Sequence, residues 1–234
     1  FLLPPAVLLA LVVVGCGSRT PEHALEGRAP ASAARIPSVQ AAFVRESYAP
    51  GSRAVLRFFN SARTLRLQIL QSGPELERTT DHLTMNGIGV TRPRTVGGVR
   101  RGRRVAVRIG PWPSGLYFAR LEAADGRIGF APFVVRPSRL GKHRIAVVMP
   151  TLTWQAYNLR DEDGDGVGDS WYAAWRTKTV RLGRAYLSRG VPHNFRRYDL
   201  PFLHWLARSG REVDVLAQAD LEAPTPRELV TAYD

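Results

Sequence analysis

The sequence predicts a two-domain protein, a β-sandwich followed by the first part of a parallel α/β sheet. Between residues 42 and 137, about seven short runs of alternating apolar and polar residues are separated by turn residues, with no helical pattern between them. This spacing is typical of an immunoglobulin-like sandwich. Between residues 138 and 234 strand and helix patterns alternate, which is typical of a parallel three-layer α/β sheet.

The runs that predict sandwich strands share alternation and flanking Gly, Pro, Ser or Asp. They are Ala54–Phe58, Leu65–Leu70, Arg104–Ile109, Gly115–Leu121 and Phe130–Val135. In the second region, Arg144–Met149 is continuously apolar near its end, which predicts a strand buried on both faces. Glu212–Ala217 is the next predicted strand. We expect the chain to hold only the first part of this sheet.

Two helices are predicted around these strands. Asp199 is the expected N-cap of the first, and Gly210 is its expected C-cap. The apolar face expected for this helix consists of Phe202, Leu203 and Leu206. The second helix begins with a capping box, because Thr225 precedes Pro226 and Glu228 stands three residues after Thr225.

The N-terminus reads as a bacterial lipoprotein signal over residues 1–16. A short apolar stretch ends in Val14, Gly15 and Cys16, and it is too short to span a bilayer. Cys16 is the only cysteine, which suits an acylated thiol and excludes an internal disulfide. The alternative is a plain signal peptide with an incidental cysteine. Residues 17–41, rich in Ala, Pro, Ser and Arg, are expected to be a disordered tether.

The formal net charge of +13 does not predict nucleic-acid binding. Lys142 and Lys178 are the only lysines, and the basic surplus lies in residues 45–144, away from the motifs described below. An Arg-rich solvated surface explains this surplus. Binding of this segment to an anionic surface such as lipid headgroups is the alternative.

An acidic loop has the spacing of a calcium site. Its aspartates occupy ligand positions one, three, five and nine of a calcium loop, a backbone carbonyl takes position seven, and Gly166 takes the sharp turn. The predicted ligands are Asp161, Asp163, Asp165, Val167 and Asp169. Position twelve is Tyr172 rather than Glu, so the motif is incomplete. A solvated turn without metal is the alternative.

An aromatic and amide cluster precedes this loop, at the expected carboxyl end of a strand. Open α/β sheets place ligands beyond the carboxyl ends of their strands, so Gln155, Tyr157 and Asn158 are the candidate catalytic residues. The alternative is that the aromatic residues only pack over the sheet. These residues are Trp154, Tyr157, Trp171, Tyr172 and Trp175.

Thr153–Asn158, interpreted here as part of a strand, and Tyr198–Leu206 resemble motifs in the C-terminal region of the N,N-dimethylformamidase large (beta) subunit. The segment from Trp112 to Tyr117 resembles the preceding β-domain of that family. The resemblance covers residues 47–234, and Trp-Gln-Ala-Tyr-Asn is its most specific part. It implies a flavodoxin-like or glutamine-amidotransferase-like fold for the α/β half.

The resemblance also implies a mononuclear iron held by two tyrosines and a glutamate. Tyr157 matches one tyrosine, Tyr198 is the best-placed second, and the glutamate lies in a motif expected beyond Asp234. The Asp/Gly loop replaces the family's usual Gly-Gly turn.

We therefore expect a secreted, lipid-anchored amidohydrolase-like protein that hydrolyses C–N bonds of a small amide. It would be attached through acylated Cys16 to the outer face of the bacterial cell membrane, without a nucleic-acid partner. The second hypothesis is a non-catalytic cell-surface binding module with a calcium-stabilised loop. The sequence does not indicate the oligomeric state.

Overall fold

The alternating runs of the first region form nine strands in the computed structural model, which describes residues 37–76, 81–170, 172–173 and 179–233. The strands are β1 Ala41–Phe43, β2 Ser47–Tyr48, β3 Arg53–Phe58, β4 Ala62–Gln71, β5 Ile88–Gly89, β6 Arg94–Val99, β7 Arg104–Arg108, β8 Gly115–Ala123 and β9 Ile128–Val135. The prediction of a β-rich region is confirmed. Cys16, the signal and most of the expected tether lie outside the described residues.

These strands make two sheets around one apolar core. One sheet has the order β1-β3-β7, and the other has the order β2-β9-β8-β4-β5, with β6 also paired to β4. All pairs are antiparallel except β2 with β9. Alternate side chains such as Leu56 of β3 and Leu67 of β4 are buried between the sheets, as the two-residue period of a strand requires.

Strand β8 is buried on both faces. Tyr117 and Leu121 point into the core between the sheets, whereas Leu116 and Phe118 belong to a second apolar cluster. That second cluster also contains Trp154 from the C-terminal part of the chain. The C-terminal part therefore packs directly on the outer face of the larger sheet.

The second region contains two parallel strands, β10 Ala146–Met149 and β11 Asp214–Ala217. β11 is buried along its whole length, but Val148 of β10 is 39% exposed, so the prediction that the first strand is buried on both faces is wrong. The reason is the position of the pair. Val215 of β11 donates its N–H to the hydroxyl of Ser114 at 2.7 Å, which places the sandwich next to β11 and leaves β10 at the outer side.

The strand interpretation of Thr153–Asn158 is also wrong, since Thr151–Ala156 forms a short helix, α1. The N–H groups of Leu152 and Thr153, in the first turn of this helix, donate to the side-chain oxygen of Gln218 at 2.9 and 3.4 Å. Gln218 is remote in sequence, so this capping was not visible in the local pattern.

Helix α2 spans Asp199–Arg208, and its N-cap is Tyr198 rather than Asp199. The Asp199 carboxylate instead accepts a hydrogen bond from the indole N–H of Trp154 at 3.0 Å. Leu203 is buried as expected, but Phe202 is 41% exposed, because the buried face runs through Leu200, Leu203 and His204. Gly210 directly follows the C-cap residue, with φ of 65°.

A 3₁₀ turn, Gln218–Leu221, and helix α3, Pro226–Tyr233, complete the described chain. The predicted capping box is present, since Thr225 donates its N–H to Glu228 at 2.7 Å and accepts the Glu228 N–H at 3.3 Å. No helix in the described ranges is long and apolar enough to cross a membrane.

Candidate functional site

The candidate catalytic residues lie at the end of α1, immediately after the carboxyl end of β10. Gln155 and Asn158 are buried, at 3% and 4% exposure, whereas Tyr157 is 41% exposed. The segment therefore turns two amides inward and one phenol outward.

The two amides bind a neighbouring stretch of backbone. Gln155 donates to the Arg184 carbonyl at 3.1 Å, and Asn158 donates to the Ala185 carbonyl and to the Gln155 side-chain oxygen, both at 3.3 Å. In this arrangement the amides hold the protein's own chain in place. Their predicted catalytic roles stay predictions.

Tyr157 is the central ring of a three-ring stack. Its centroid lies 4.2 Å from that of Tyr172 and 5.4 Å from that of His193, with interplanar angles of 10° and 17°. The hydrogen bond with the Tyr172 hydroxyl, followed by charge interaction with that group and slight desolvation, raises the pKa of Tyr157 above its usual value. The sequence indicates Tyr172 only as the residue that replaces Glu at position twelve of the calcium loop and as a packing residue.

Tyr198, the predicted second iron ligand, has a different environment. It precedes α2, is 59% exposed, and has the Arg197 guanidinium 5.3 Å from its ring centroid. The phenol that contacts Tyr157 is that of Tyr172, so the structure brings together a different pair of tyrosines from the predicted one.

Three of the five predicted calcium ligands come together in the acidic loop. Carboxylate oxygens of Asp161, Asp163 and Asp165 all lie within 4.8 Å of one another. Asp161 also accepts the N–H groups of Gly164 and Gly166, at 2.6 and 3.0 Å. Both glycines have positive φ, 84° and 86°, so the tight turn depends on residues without a Cβ.

The other two predicted ligands are not part of this carboxylate cluster. One carboxylate oxygen of Asp169 accepts the N–H of Glu162 at 2.8 Å. The N–H of Val167 is bonded to Asp165 at 2.7 Å, and the Val167 side chain is 42% exposed.

Arg184 ties these parts together, and the sequence did not reveal it. Arg184 is buried at 2% exposure, and among the described residues its guanidinium donates to five backbone carbonyls. The acceptors are those of Gln155 at 2.8 Å, Asp169 at 3.0 Å, Arg181 at 3.0 Å, Asn158 at 3.3 Å and Arg160 at 3.4 Å. One guanidinium therefore joins the end of α1 to both ends of the acidic loop.

In the described part of the chain no carboxylate forms an ion pair with Arg184, so its buried charge depends on other interactions. Desolvation lowers the pKa of Arg184, and the charges of Glu162 and Asp169 oppose this shift. The carbonyls at the C-terminal end of α1 also favour a positive charge there. An arginine in an Arg-rich chain resembles a surface residue, which explains why no pattern indicated its role.

A second polar network lies where β10 and β11 end. The Thr151 hydroxyl donates to Glu46 at 2.6 Å and accepts the Gln218 N–H at 3.3 Å. Burial raises the pKa of Glu46 above its usual value. Asp220 accepts the hydroxyl of Ser47 at 2.5 Å and the N–H of Ala217 at 2.8 Å.

The packing alternative holds for some aromatic residues. Trp154 is 4% exposed and meets Phe195 edge-on at 6.0 Å, so it belongs to the core. Tyr157 and Tyr172 are exposed instead, and Trp171 and Trp175 lie outside the described residues. His204 is also a packed residue, since it is buried and its Nε2 lies 2.9 Å from Glu75.

The fold and the site define a β-rich protein with few helices, in which an aromatic and amide segment follows the first strand of a parallel pair. More than half of the chain, residues 104–234, matches the family described as N,N-dimethylformamidase beta subunit-like, C-terminal. The chain belongs to this family, as its motifs predicted. No curated protein matches the chain in sequence.

Solved structures show only weak similarity. A cycloisomaltooligosaccharide glucanotransferase from Paenibacillus sp. is 15% identical with a TM-score of 0.27, over 53% of this chain and 18% of that protein. Superoxide reductase (neelaredoxin) from Ignicoccus hospitalis is 11% identical with a TM-score of 0.25, over 43% and 79%. Spo0M, a sporulation control protein from Bacillus subtilis, is 11% identical with a TM-score of 0.28, over 44% and 50%. These values establish neither fold nor function for this chain, which spans less than a fifth of the glucanotransferase.

Proposed function

We propose that this protein is a secreted, lipid-anchored amidohydrolase that cleaves the C–N bond of a small amide with a tyrosine-ligated metal. The observation that supports this proposal best is the position of Tyr157. In a chain of the N,N-dimethylformamidase beta subunit-like family, this phenol is exposed at the end of α1, the helix that follows the first strand of the parallel pair.

Tyr157 is accessible to a metal because it is exposed. A bound cation would replace its hydrogen bond with Tyr172, and the charge of the cation would offset the raised pKa of this phenol. Tyr198 is the proposed second ligand, and a carboxylate from outside this chain would be the third. Bound iron would supply Lewis acidity, which polarises an amide carbonyl or activates the attacking water.

The protein's own groups hold Tyr157 in place. Arg184 binds the carbonyls on both sides of it, at Gln155 and Asn158, and the stack with Tyr172 and His193 restricts its ring. A ligand held from both backbone and ring loses little conformational freedom when a metal binds.

The finer fold assignment is part of the same proposal. Residues 42–137 would be an immunoglobulin-like domain, and residues 138–234 the start of a flavodoxin-like or glutamine-amidotransferase-like domain. The exposure of Ile145 and Val148, at 43% and 39%, supports this assignment, since parallel sheets are normally covered by helices on both faces and these side chains are available for such packing.

A visible spectrum of the full-length protein, purified aerobically, tests the proposed function. Tyrosinate bound to ferric iron absorbs visible light, so the protein should be coloured and contain iron. Tyr157→Phe keeps the ring and its stacking but removes the oxygen, so the variant should fold normally and lose colour, iron and amidase activity.

Tyr48→Phe is the matched control, because its hydroxyl lies in the sandwich and bonds to backbone groups, among them the Arg45 N–H at 3.0 Å. This variant should keep its colour and iron, and lose at most about 1 kcal/mol of stability. A colourless, iron-free full-length protein would exclude the iron site.

The second candidate function is a non-catalytic cell-surface binding module whose acidic loop is stabilised by calcium. The convergence of Asp161, Asp163 and Asp165 favours it, because alternating carboxylates repel one another until a cation relieves the repulsion. An iron-free protein that is stabilised by calcium would support this function over the amidase.

A further inference from the structure

A cavity of about 980 Å³ lies between the sandwich and the C-terminal helix. Its wall includes Arg45 beside β2, Leu182, Leu216 of β11 and Arg227 of α3. Among the described residues the wall does not include Tyr157, so the cavity is separate from the proposed metal site. Its volume is at the upper end of the range for small-molecule sites, about 300–1,000 Å³.

The apolar part of the wall is open to solvent. Val44 and Leu182 are 44% and 46% exposed although both line the cavity. Pro137 and Leu140 line it as well. Side chains of this kind gain free energy when a hydrocarbon group covers them.

The acidic groups of the wall have limited capacity for a ligand. Asp220 accepts from Ser47 and from the N–H of Ala217, and Glu228 accepts from Thr225. One oxygen of Glu46 accepts from Thr151, the other is buried without a partner among the described residues, and burial raises the pKa of this carboxyl group. These carboxyl groups therefore offer little to a cationic ligand.

The basic groups are available. Within the described ranges, the guanidinium groups of Arg45 and Arg227 make no hydrogen bond or ion pair. A third guanidinium, that of Arg136, is 3.8 Å from Asp220. The wall thus presents two guanidinium groups without partners beside an exposed apolar surface.

We propose that this cavity binds a small amphipathic organic anion, with a carboxylate at Arg45 and Arg227 and a hydrocarbon body over Val44 and Leu182. Guanidinium groups suit carboxylates because they can donate two parallel hydrogen bonds. The proposal does not depend on the metal or on amidase activity.

Calorimetric titration of the full-length protein with decanoate, below its micelle concentration, tests the site. We expect one molecule bound per chain, and much weaker binding of acetate and of decyltrimethylammonium. Acetate lacks the hydrocarbon body, and decyltrimethylammonium has the opposite charge. Absence of decanoate binding, or equal binding of the cation, would overturn the proposal.

Variants locate the binding. Arg45→Gln and Arg227→Gln should each weaken decanoate binding about fivefold, as loss of one exposed charge pair predicts. Leu182→Asp should weaken decanoate binding further, because it places a negative charge where the hydrocarbon body would lie. Arg108→Gln, an exposed arginine on β7, is the matched control and should bind like the wild type. Unchanged affinity in both arginine variants would place the ligand elsewhere.

The same anionic chemistry occurs on lipid surfaces, so vesicles of phosphatidylglycerol form a second arm. Binding of decanoate without retention on vesicles supports a free small molecule as the ligand. Retention on vesicles that depends on Arg45 and Arg227, without decanoate binding, would overturn the cavity site in favour of a membrane surface.

Discussion

Single residues decide how the candidate site is held. Tyr157 is exposed, whereas Gln155 and Asn158 on either side are bonded inward and their carbonyls accept from Arg184. Arg184, which no sequence motif indicates, therefore holds the backbone on both sides of Tyr157.

Replacing Arg184 tests this role. Arg184→Met keeps much of the volume but leaves buried carbonyls without donors, so we expect a loss of about 3 kcal/mol in the free energy of unfolding, measured by urea denaturation. Arg181→Met, on the same segment but exposed, should change stability by less than about 0.5 kcal/mol. Equal stability of the two variants would show that the carbonyls find other partners.

Glu46 predicts a dependence of stability on pH. Burial raises its folded pKa above the usual 4.5, so the folded state binds more protons than the unfolded state in the interval between the two values. Its contribution to stability is thus fully present below about pH 4.5 and is lost as pH rises through the folded pKa. Glu46→Gln removes this loss.

Denaturation curves between pH 4 and pH 8 measure the effect. The stability of Glu46→Gln relative to wild type should increase with pH over this range. Glu212→Gln, a control whose side chain is 83% exposed, should show no such increase. A relative stability that decreases with pH would mean that Glu46 is stabilised as a carboxylate.

At the scale of elements, hydrogen bonds from residues distant in sequence stabilise a conformation that the local pattern did not predict. Thr151–Ala156 became a helix because Gln218, beyond β11, caps its start. The acidic loop is different, since its turn geometry follows from its own aspartates and glycines.

The loop predicts stabilisation by calcium. A cation that binds only the folded state raises its stability by mass action, so 1 mM calcium should raise the melting temperature measured by circular dichroism. Asp163→Asn with Asp165→Asn should remove the increase, whereas Asp125→Asn, in a different turn, should keep it. Identical melting curves with calcium and with chelator would leave the loop a solvated turn.

At the scale of the whole molecule, the sandwich and the parallel strands share an apolar cluster that crosses the predicted boundary at residue 137. Phe118 and Phe130 of the larger sheet pack with Trp154 and Leu200. This packing places the site beside the sandwich, so the sandwich has a direct part in shaping it.

The attachment of the molecule to a membrane is a separate prediction. If Cys16 is acylated, Cys16→Ser should move the protein from the membrane fraction of its host into the medium, measured by immunoblotting of both fractions. Ser18→Ala is the matched control and should remain with the membrane. Persistence of the Cys16→Ser protein in the membrane fraction would exclude a lipid anchor at this residue.

The sequence by itself determined the β-rich first region, the strands at Ala146–Met149 and Asp214–Ala217, the Thr225 capping box and the family. These features depend on local periodicity, on neighbouring residues or on a short motif, which a sequence displays directly. Only the tertiary structure decided the helix at Thr151–Ala156, the contact between Tyr157 and Tyr172, and the burial of Arg184. Each depends on groups brought together by folding, and no local pattern records which distant donor or acceptor a residue will meet.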